Sequence, residues 1–181
     1  MKEINKILLF VGLGAMMCAS NYSFANVKAV IPNTNPTDGG PGLWPNPRFE
    51  LANKADNTTC NDAKYDKLTG LMWVKDGNAA GQKNWSDAKT YADGLMLCGY
   101  NNWRLPTVNE LKSLVNYSDR VSPANWLNGN GFSSIQTANY WSSTIYSLSG
   151  GIAWTVDMYH GLVSYSNQAP NRFVLPVRGP N

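Results

Sequence analysis

Residues 100–115, YNNWRLPTVNELKSLV, contain a well-marked helix start. Thr107 is followed three residues later by Glu110, the spacing of a capping box, in which each side chain satisfies the backbone N–H of the other residue. Pro106 cannot lie inside a helix, so it directs the chain into the helix start. Apolar residues then recur at helical spacing, at Val108, Leu111, Leu114 and Val115. Glu110 therefore has a structural role, worth about 1 kcal/mol in such caps, and is a poor candidate for a catalytic acid.

The residues just before this helix alternate between apolar and charged side chains. Trp103 and Leu105 flank Arg104, so the two apolar side chains are expected to enter the core. A partly buried arginine normally needs a partner. We therefore expect Arg104 to reach a carboxylate or backbone carbonyls, in a structural role.

Two further elements are predicted upstream. A break at Thr69 and Gly70 precedes a short apolar run within 65–74, the pattern of a hairpin or strand entry. Ser86 is able to cap a helix through its hydroxyl, and apolar residues recur at helical spacing over the next three turns. Gly99 supplies a left-handed stop. The pattern predicts a helix over about 87–97.

The second half of the chain has the pattern of short strands. Apolar residues alternate within segments separated by Gly, Asn and Ser clusters, at 140–144, 152–158, 162–165 and 172–178. His160 and Gly161 fit a hairpin turn, and Pro176 indicates that the last segment lies at a sheet edge or near its end. Two helices followed by a mostly antiparallel sheet of short strands predict an α+β domain.

The first 25 residues have the pattern of a secretory signal peptide. Two lysines precede an apolar run at 7–17, and the small residues Ser23 and Ala25 occupy the positions that a signal peptidase reads. About 11 apolar residues fall short of the roughly 20 needed to span a bilayer. We therefore expect export, to the periplasm, the medium or the cell surface, and no transmembrane segment in the mature chain.

After cleavage at Ala25, the mature chain would consist of two consecutive regions. Residues 26–47 are rich in Pro, Gly and Asn, and they predict a tether or an ordered wrap without helix or strand. Aromatic residues and alternation appear from Arg48 onward, so the folded domain is predicted over 48–181. A lipoprotein signal ending at Cys18 is the alternative for the N-terminus, but Met17 stands where such signals need a small side chain.

Two cysteines, Cys60 and Cys98, would remain in an oxidising compartment, and they predict one disulfide. Closing a loop of that length stabilises the fold by roughly 4 kcal/mol in the chain-entropy model. A reactive thiol would need a nearby base or cation, and no local motif supplies one.

No cofactor, metal or nucleic acid is predicted as a partner. Removing two lysines and one glutamate with the signal peptide changes the formal charge from 15 minus 12 to 13 minus 11, or +2. The remaining lysines and arginines are scattered singly, unlike a nucleic-acid-binding stripe. No histidine and cysteine cluster suggests zinc. The Asn and Asp density at 56–66 could ligate calcium, but EF-hand spacing is absent and turn formation explains these residues equally well.

Six ordered motifs carry a family resemblance: LTGLMW at 68–73, WSDA at 85–88, GYNNWRLPTVNEL at 99–111, YWSST at 140–144, AWTVD at 153–157 and VRG at 177–179. Together they resemble the Lcl C-terminal domain family, named for a bacterial collagen-like adhesin. The resemblance implies an exported bacterial domain with a C-type-lectin-like fold. In that adhesin the domain is associated with binding sulfated polysaccharides. This chain contains no collagen repeats, so the resemblance does not extend to the trimeric part of the adhesin role.

A second, weaker resemblance bears on whether this protein is an enzyme. RLPTVNE at 104–110 is similar to a motif of formylglycine-generating enzymes, which share the lectin-like fold, but no cysteine follows Cys98 to complete their late cysteine pair. A Ser-His-Asp arrangement would have to use His160, the single histidine. A glycosidase needs two facing carboxylates, and nothing pairs Glu50 or Glu110 with an aspartate. The sequence therefore predicts a protein that is not an enzyme.

The tryptophans raise the remaining functional question, because aromatic faces stack on sugar rings as readily as they fill cores. Trp73, Trp103, Trp141 and Trp154 lie in apolar alternation and are predicted to be core residues. Trp126, in a Pro- and Asn-rich segment at 118–136 that reads as a loop, fits either role.

Loops on a rigid scaffold are where binding residues concentrate, so the predicted binding site is built from the later loops. It comprises Trp126, Tyr146, Tyr159, His160 and Tyr165, with Arg120 and Arg172 available to anionic groups. The resulting hypothesis is an exported, non-catalytic binding module with adhesin-like recognition of a glycan, a sulfated polysaccharide or a protein. The alternatives are a structural or assembly subunit and, less favoured, an enzyme on the formylglycine-generating scaffold.

Overall fold

The structure, a computed structural model, describes residues 44–118, 121–148 and 150–179. Within these ranges the chain forms three short helices and nine strands. The helices are α1 (Trp85–Asp93), α2 (Val108–Ser113) and α3 (Pro123–Gly129). The strands are β1 (Phe49–Asn53), β2 (Thr59–Asp66), β3 (Leu71–Val74), β4 (Gln82–Lys83), β5 (Asn139–Ile145), β6 (Ile152–Asp157), β7 (Val163–Asn167), β8 (Arg172–Phe173) and β9 (Val177–Arg178).

The strands form two sheets. The first has the order β1-β2-β3-β9 and is antiparallel throughout. The second has the order β4-β8-β5-β6-β7, and β5 with β8 is its parallel pair. This arrangement confirms the α+β class. The narrower C-type-lectin-like assignment stays a prediction.

Helix α3 occupies part of the segment that reads as a loop in the sequence. The Ser122 hydroxyl accepts the backbone N–H of Asn125, and Pro123 fills the first helical turn. A serine followed by proline is a helix-start signal, since proline lacks the N–H that the first turn leaves unpaired. The structure thus adds a third helix to the two that were predicted.

Helix α1 begins and ends earlier than its sequence predicts. Asn84, rather than Ser86, caps it by accepting the Asp87 N–H, and Gly94 follows its last turn. Gly99 has the expected left-handed backbone, with φ of +77°. It closes a separate turn there, in which Leu97 and Tyr100 exchange backbone hydrogen bonds. The predicted extension to residue 97 was therefore wrong.

The predicted hairpins are present. β2 pairs with β3 through a turn whose Gly70 has φ of +73°, and β6 pairs with β7 through a turn containing His160 and Gly161. The last predicted segment divides at Pro176 into β8 and β9, which belong to different sheets. β9 lies at the edge of the first sheet, which agrees with the prediction from the proline.

Large apolar side chains fill two clusters. The larger contains Trp73, Trp103 and the apolar residues of α2, and the smaller joins Trp141 and Leu105 to the inner face of α1. The Cys60–Cys98 disulfide, with 5.7 Å between the Cα atoms, links β2 to the turn after α1 and confirms the cysteine prediction. Three of the four tryptophans predicted as core residues are thus buried.

No helix within the described ranges has the length and apolarity needed to cross a membrane. The predicted signal peptide and residues 26–43 lie outside the part of the chain that the structure describes.

Candidate binding surface

Thr107 and Glu110 form the capping box that their spacing in the sequence predicts. Glu110 accepts two hydrogen bonds from the Arg104 guanidinium, at 2.8 and 2.7 Å, and one from the Thr107 N–H at 2.7 Å. The Thr107 hydroxyl in turn accepts the Glu110 N–H. Burial raises the pKa of Glu110, but the Arg104 guanidinium and the Thr107 N–H outweigh burial and hold that pKa below its usual value. Both predicted structural roles, of Arg104 and of Glu110, are confirmed.

Three aromatic rings meet at the surface of the second sheet. The Tyr146 and Tyr165 rings are stacked, with centroids 4.9 Å apart, and Trp154 lies edge-on to both, at 5.6 and 5.7 Å. Tyr165 is 56% exposed, while Tyr146 and Trp154 are half-buried. We call Tyr146, Trp154 and Tyr165 the aromatic surface cluster.

The sheet register creates this cluster. Trp154 of β6 lies directly opposite Tyr165 of β7, so their side chains share one face. Tyr146 directly follows β5, and its N–H donates to the Ile152 carbonyl at 2.9 Å, which brings its ring to the same place. Cross-strand aromatic pairs of this kind stabilise a sheet by roughly 0.2–1 kcal/mol each.

Trp154 corrects a prediction, because it does not lie in either buried core. Val156, two residues further along the same face of β6, is fully buried. Trp154 instead packs against the two tyrosines, beside the outermost strand of the sheet. The alternation of apolar residues in the sequence shows which side chains share one face of a strand. It does not show how much of that face is covered by other elements.

Trp126 lies elsewhere, on α3 rather than in a loop. Its ring is partly buried against Trp44 and Phe49, with centroids 5.2 and 5.8 Å away. The Arg48 guanidinium lies 4.3 Å from the Trp44 ring centroid and donates two hydrogen bonds to the buried carboxylate of Asp66. These contacts give Trp126 a packing role at the start of the domain.

Tyr159 and His160 lie at the turn between β6 and β7. They line a cleft of about 420 Å³ together with residues 115–117, which follow α2, and the start of α3. His160 Nδ1 is 2.8 Å from an oxygen of Asp157. Burial raises the pKa of Asp157, but the Tyr159 N–H and the His160 side chain outweigh it and hold the pKa below its usual value. The serine in this cleft, Ser122, is the cap of α3.

Arg172 lies away from the aromatic surface cluster. Its guanidinium carbon is 6.0 Å from the Trp141 ring, and the group donates to the Ser166 hydroxyl at 3.3 Å. Because Trp141 packs with Ala88 and Ala92 of α1, this half-buried arginine lies on the α1 side of the second sheet. Arg120 lies outside the described residues.

The predicted site residues therefore fall into separate groups. Tyr146 and Tyr165 come together with Trp154, and Tyr159 and His160 come together at the turn. Sequence reasoning missed Trp154 as a surface residue. The available signal was its position opposite Tyr165, which follows once the turn between β6 and β7 is centred between Tyr159 and His160.

A second cleft, of about 390 Å³, lies between β2 and the end of α1. Asp62, Asp76 and Lys75 contribute charges to its wall, and Tyr91 contributes a ring. Burial and the nearby Asp76 carboxylate raise the pKa of Tyr91, so its phenol is neutral at physiological pH. Across the described ranges, no group of three or more His, Cys, Asp or Glu residues is placed to hold a metal ion.

Comparison with protein families identifies the domain that carries these surfaces. The family model of the Lcl C-terminal domain matches residues 62–178, from within β2 to the end of β9. The chain belongs to this family. All three rings of the aromatic surface cluster lie within its Lcl C-terminal domain, as does each residue of the cleft at the turn. A comparison with curated proteins finds no match.

Proposed function

We propose that this Lcl C-terminal domain is an exported, non-catalytic binding module that recognises polysaccharide through the aromatic surface cluster. The observation that carries the proposal is the contact of three rings at one exposed sheet surface, with Tyr165 more than half exposed. Aromatic rings present broad apolar faces with a polar edge, which suits the alternating apolar faces and hydroxyls of a sugar chain.

The surroundings of the rings supply the polar part of such a site. Asn167 lies two residues after Tyr165 in β7, so its side chain shares the same face of the sheet. It is exposed, and its amide oxygen accepts the Ala169 N–H, which orients the amide beside the rings. An amide both donates and accepts hydrogen bonds, as a sugar hydroxyl requires.

The position of Arg172 favours a neutral sugar at this surface. A sulfated polysaccharide would need cations beside the rings, because sulfate groups are recognised by Arg and Lys. Arg172, one of the two arginines predicted for anionic groups, lies on the α1 side of the sheet, and the other, Arg120, lies outside the described residues. We therefore propose neutral glycan segments as the preferred ligand of the aromatic surface cluster.

The absence of catalysis is part of the proposal. Glu110 accepts hydrogen bonds from Arg104 and Thr107, and no second carboxylate of the described residues belongs to this hydrogen-bonded group. Asp157 and His160 form a pair, but the serine of the cleft beside His160 is Ser122, whose hydroxyl accepts the Asn125 N–H and caps α3. These observations support binding rather than turnover.

The test compares two tyrosines of matched exposure on an array of neutral and sulfated polysaccharides. Tyr165 is 56% exposed and Tyr159 is 54% exposed, so replacing either with alanine should leave the fold intact. We expect saturable binding of the unmodified protein to a neutral glycan, and Tyr165→Ala should weaken it at least about tenfold, while Tyr159→Ala should not.

Two outcomes would contradict the proposal. If the protein bound no polysaccharide and instead captured a defined protein, the assembly role would replace it. If Tyr159→Ala weakened glycan binding and Tyr165→Ala did not, the ligand would lie in the cleft at the turn instead.

A further inference from the structure

The edges of the two sheets differ in how they are protected. Unpaired sheet edges invite pairing with another chain, and proteins usually block them with charges, bulges, short strands or a covering segment. β1 carries Glu50 and a register shift after Leu51, and β4 has two residues, one of them Lys83. β9 is covered because Val177 exchanges two backbone hydrogen bonds with Arg104.

Among the residues that the structure describes, β7 carries none of these devices. It is the outermost strand of the second sheet, five residues long, with the sequence VSYSN and no charge or proline. Its pairing with β6 runs through five consecutive residue pairs without a bulge. Val163 and Tyr165 are exposed within it, as is Leu162 directly before it. Within the described ranges, the strand is therefore a regular, neutral and open edge.

The backbone of β7 alternates between bonds to β6 and bonds to the outside. The Leu162 carbonyl accepts the Asp157 N–H, and the Gln168 N–H donates to the Gly151 carbonyl. In an antiparallel pair, every second residue makes such bonds to its neighbour. The N–H and C=O groups of Val163, Tyr165 and Asn167 consequently point away from β6.

We infer that β7 is a dimerisation edge, and that its partner is β7 of a second copy of this chain. Antiparallel pairing about a twofold axis at Tyr165 places Tyr165 opposite its own copy and Val163 opposite Asn167. Three hydrogen-bonded residue pairs form, and each exchanges two bonds, so about six backbone hydrogen bonds join the copies. The two five-stranded sheets become one continuous sheet.

Charge supports a second copy as the partner. A twofold axis brings each edge against itself, so a charged strand would oppose like charges across the interface, which is destabilising. β7 has no charged residue, and the nearest ones along the chain, other than His160, are Asp157 and Arg172. The self-paired edge is therefore free of like-charge contacts between strand residues.

This interface extends the aromatic surface, although the inference does not depend on glycan binding. Cross-strand neighbours on one face have Cβ atoms about 4.5–5.5 Å apart, so the two copies of Tyr165 would be in contact. The two aromatic surface clusters would then adjoin, and a polysaccharide spanning both would gain from two linked sites.

The test uses sedimentation equilibrium of the mature protein from micromolar to millimolar concentration. Val163→Pro removes an outward-pointing N–H and none directed at β6, and it leaves all three aromatic rings in place. Val163→Thr, which keeps the N–H and the β-branched shape, is the matched control. We expect a monomer–dimer equilibrium for the unmodified protein and for Val163→Thr, and dimerisation at least about tenfold weaker for Val163→Pro.

Hydrogen exchange provides a readout that needs no variant. The amides of Val163, Tyr165 and Asn167 should exchange more slowly at high than at low protein concentration. A protein that stays monomeric up to millimolar concentration would overturn the inference, as would a dimer in which these three amides show no concentration-dependent protection. Weak glycan binding with an intact dimer would overturn the proposed function alone.

Discussion

Glu110 accepts hydrogen bonds from the Arg104 guanidinium and from the backbone N–H of Thr107, the N-cap residue of α2, and it is 5% exposed. Its carboxylate thus joins the strand-like segment at Arg104 to the helix that follows. Arg104 also exchanges backbone hydrogen bonds with Val177 of β9. This one acidic side chain therefore connects α2 to the first sheet.

Replacing Glu110 with glutamine should lower the free energy of unfolding by roughly 2 kcal/mol, because the amide loses a charge-assisted pair in a buried setting. Glu50→Gln is the matched control. Its carboxylate is half exposed and 3.7 Å from Lys67, so its loss should change stability by less than about 0.5 kcal/mol. Urea denaturation followed by tryptophan fluorescence measures both. Equal effects of the two substitutions would contradict the structural role of Glu110.

The effect of Glu110→Gln should also depend on pH. The folded-state pKa of Glu110 lies below its ordinary value of 4.5, so its contribution is fully present above that value. The contribution is lost as the pH falls through the folded-state pKa. The stability difference between the unmodified protein and Glu110→Gln should therefore be constant near neutral pH and shrink below about pH 4.5.

Among the helices and strands, the sequence correctly predicted those features that depend on residues only a few positions apart. The capping box needs two side chains three residues apart, so α2 was predicted together with its cap. The β6–β7 hairpin was found from Gly161 and the alternation around it. Helix α1 was predicted too long because its apolar spacing continues past Gly94, where the chain instead turns back through Leu97 and Tyr100.

The disulfide joins two elements that are distant in sequence, β2 and the turn after α1. Replacing both Cys60 and Cys98 with alanine should lower the free energy of unfolding by up to roughly 4 kcal/mol, because the unfolded chain gains conformational freedom. Chemical denaturation of the exported protein measures the change, and the reduced, unmodified protein should match the double variant. A loss below about 1 kcal/mol would show that the crosslink adds little to the fold.

At the scale of the whole molecule, the site could be predicted only in part. Tyr146 and Tyr165 were named from the sequence, but their contact with Trp154 depends on strand register and on β7 lying outermost. Trp126 contacts Trp44, 82 positions earlier, which no local pattern reveals. Arg172 was separated from the rings by the sheet itself.

We propose that one tryptophan, Trp154, takes part in recognition, while Trp73, Trp103 and Trp141 fill the core. An NMR titration of the indole N–H signals with a neutral oligosaccharide identified on the array tests it most directly. We expect the Trp154 signal to shift in a saturable way and the signals of the three core tryptophans to stay in place. Saturable binding that leaves the Trp154 signal unmoved would contradict it.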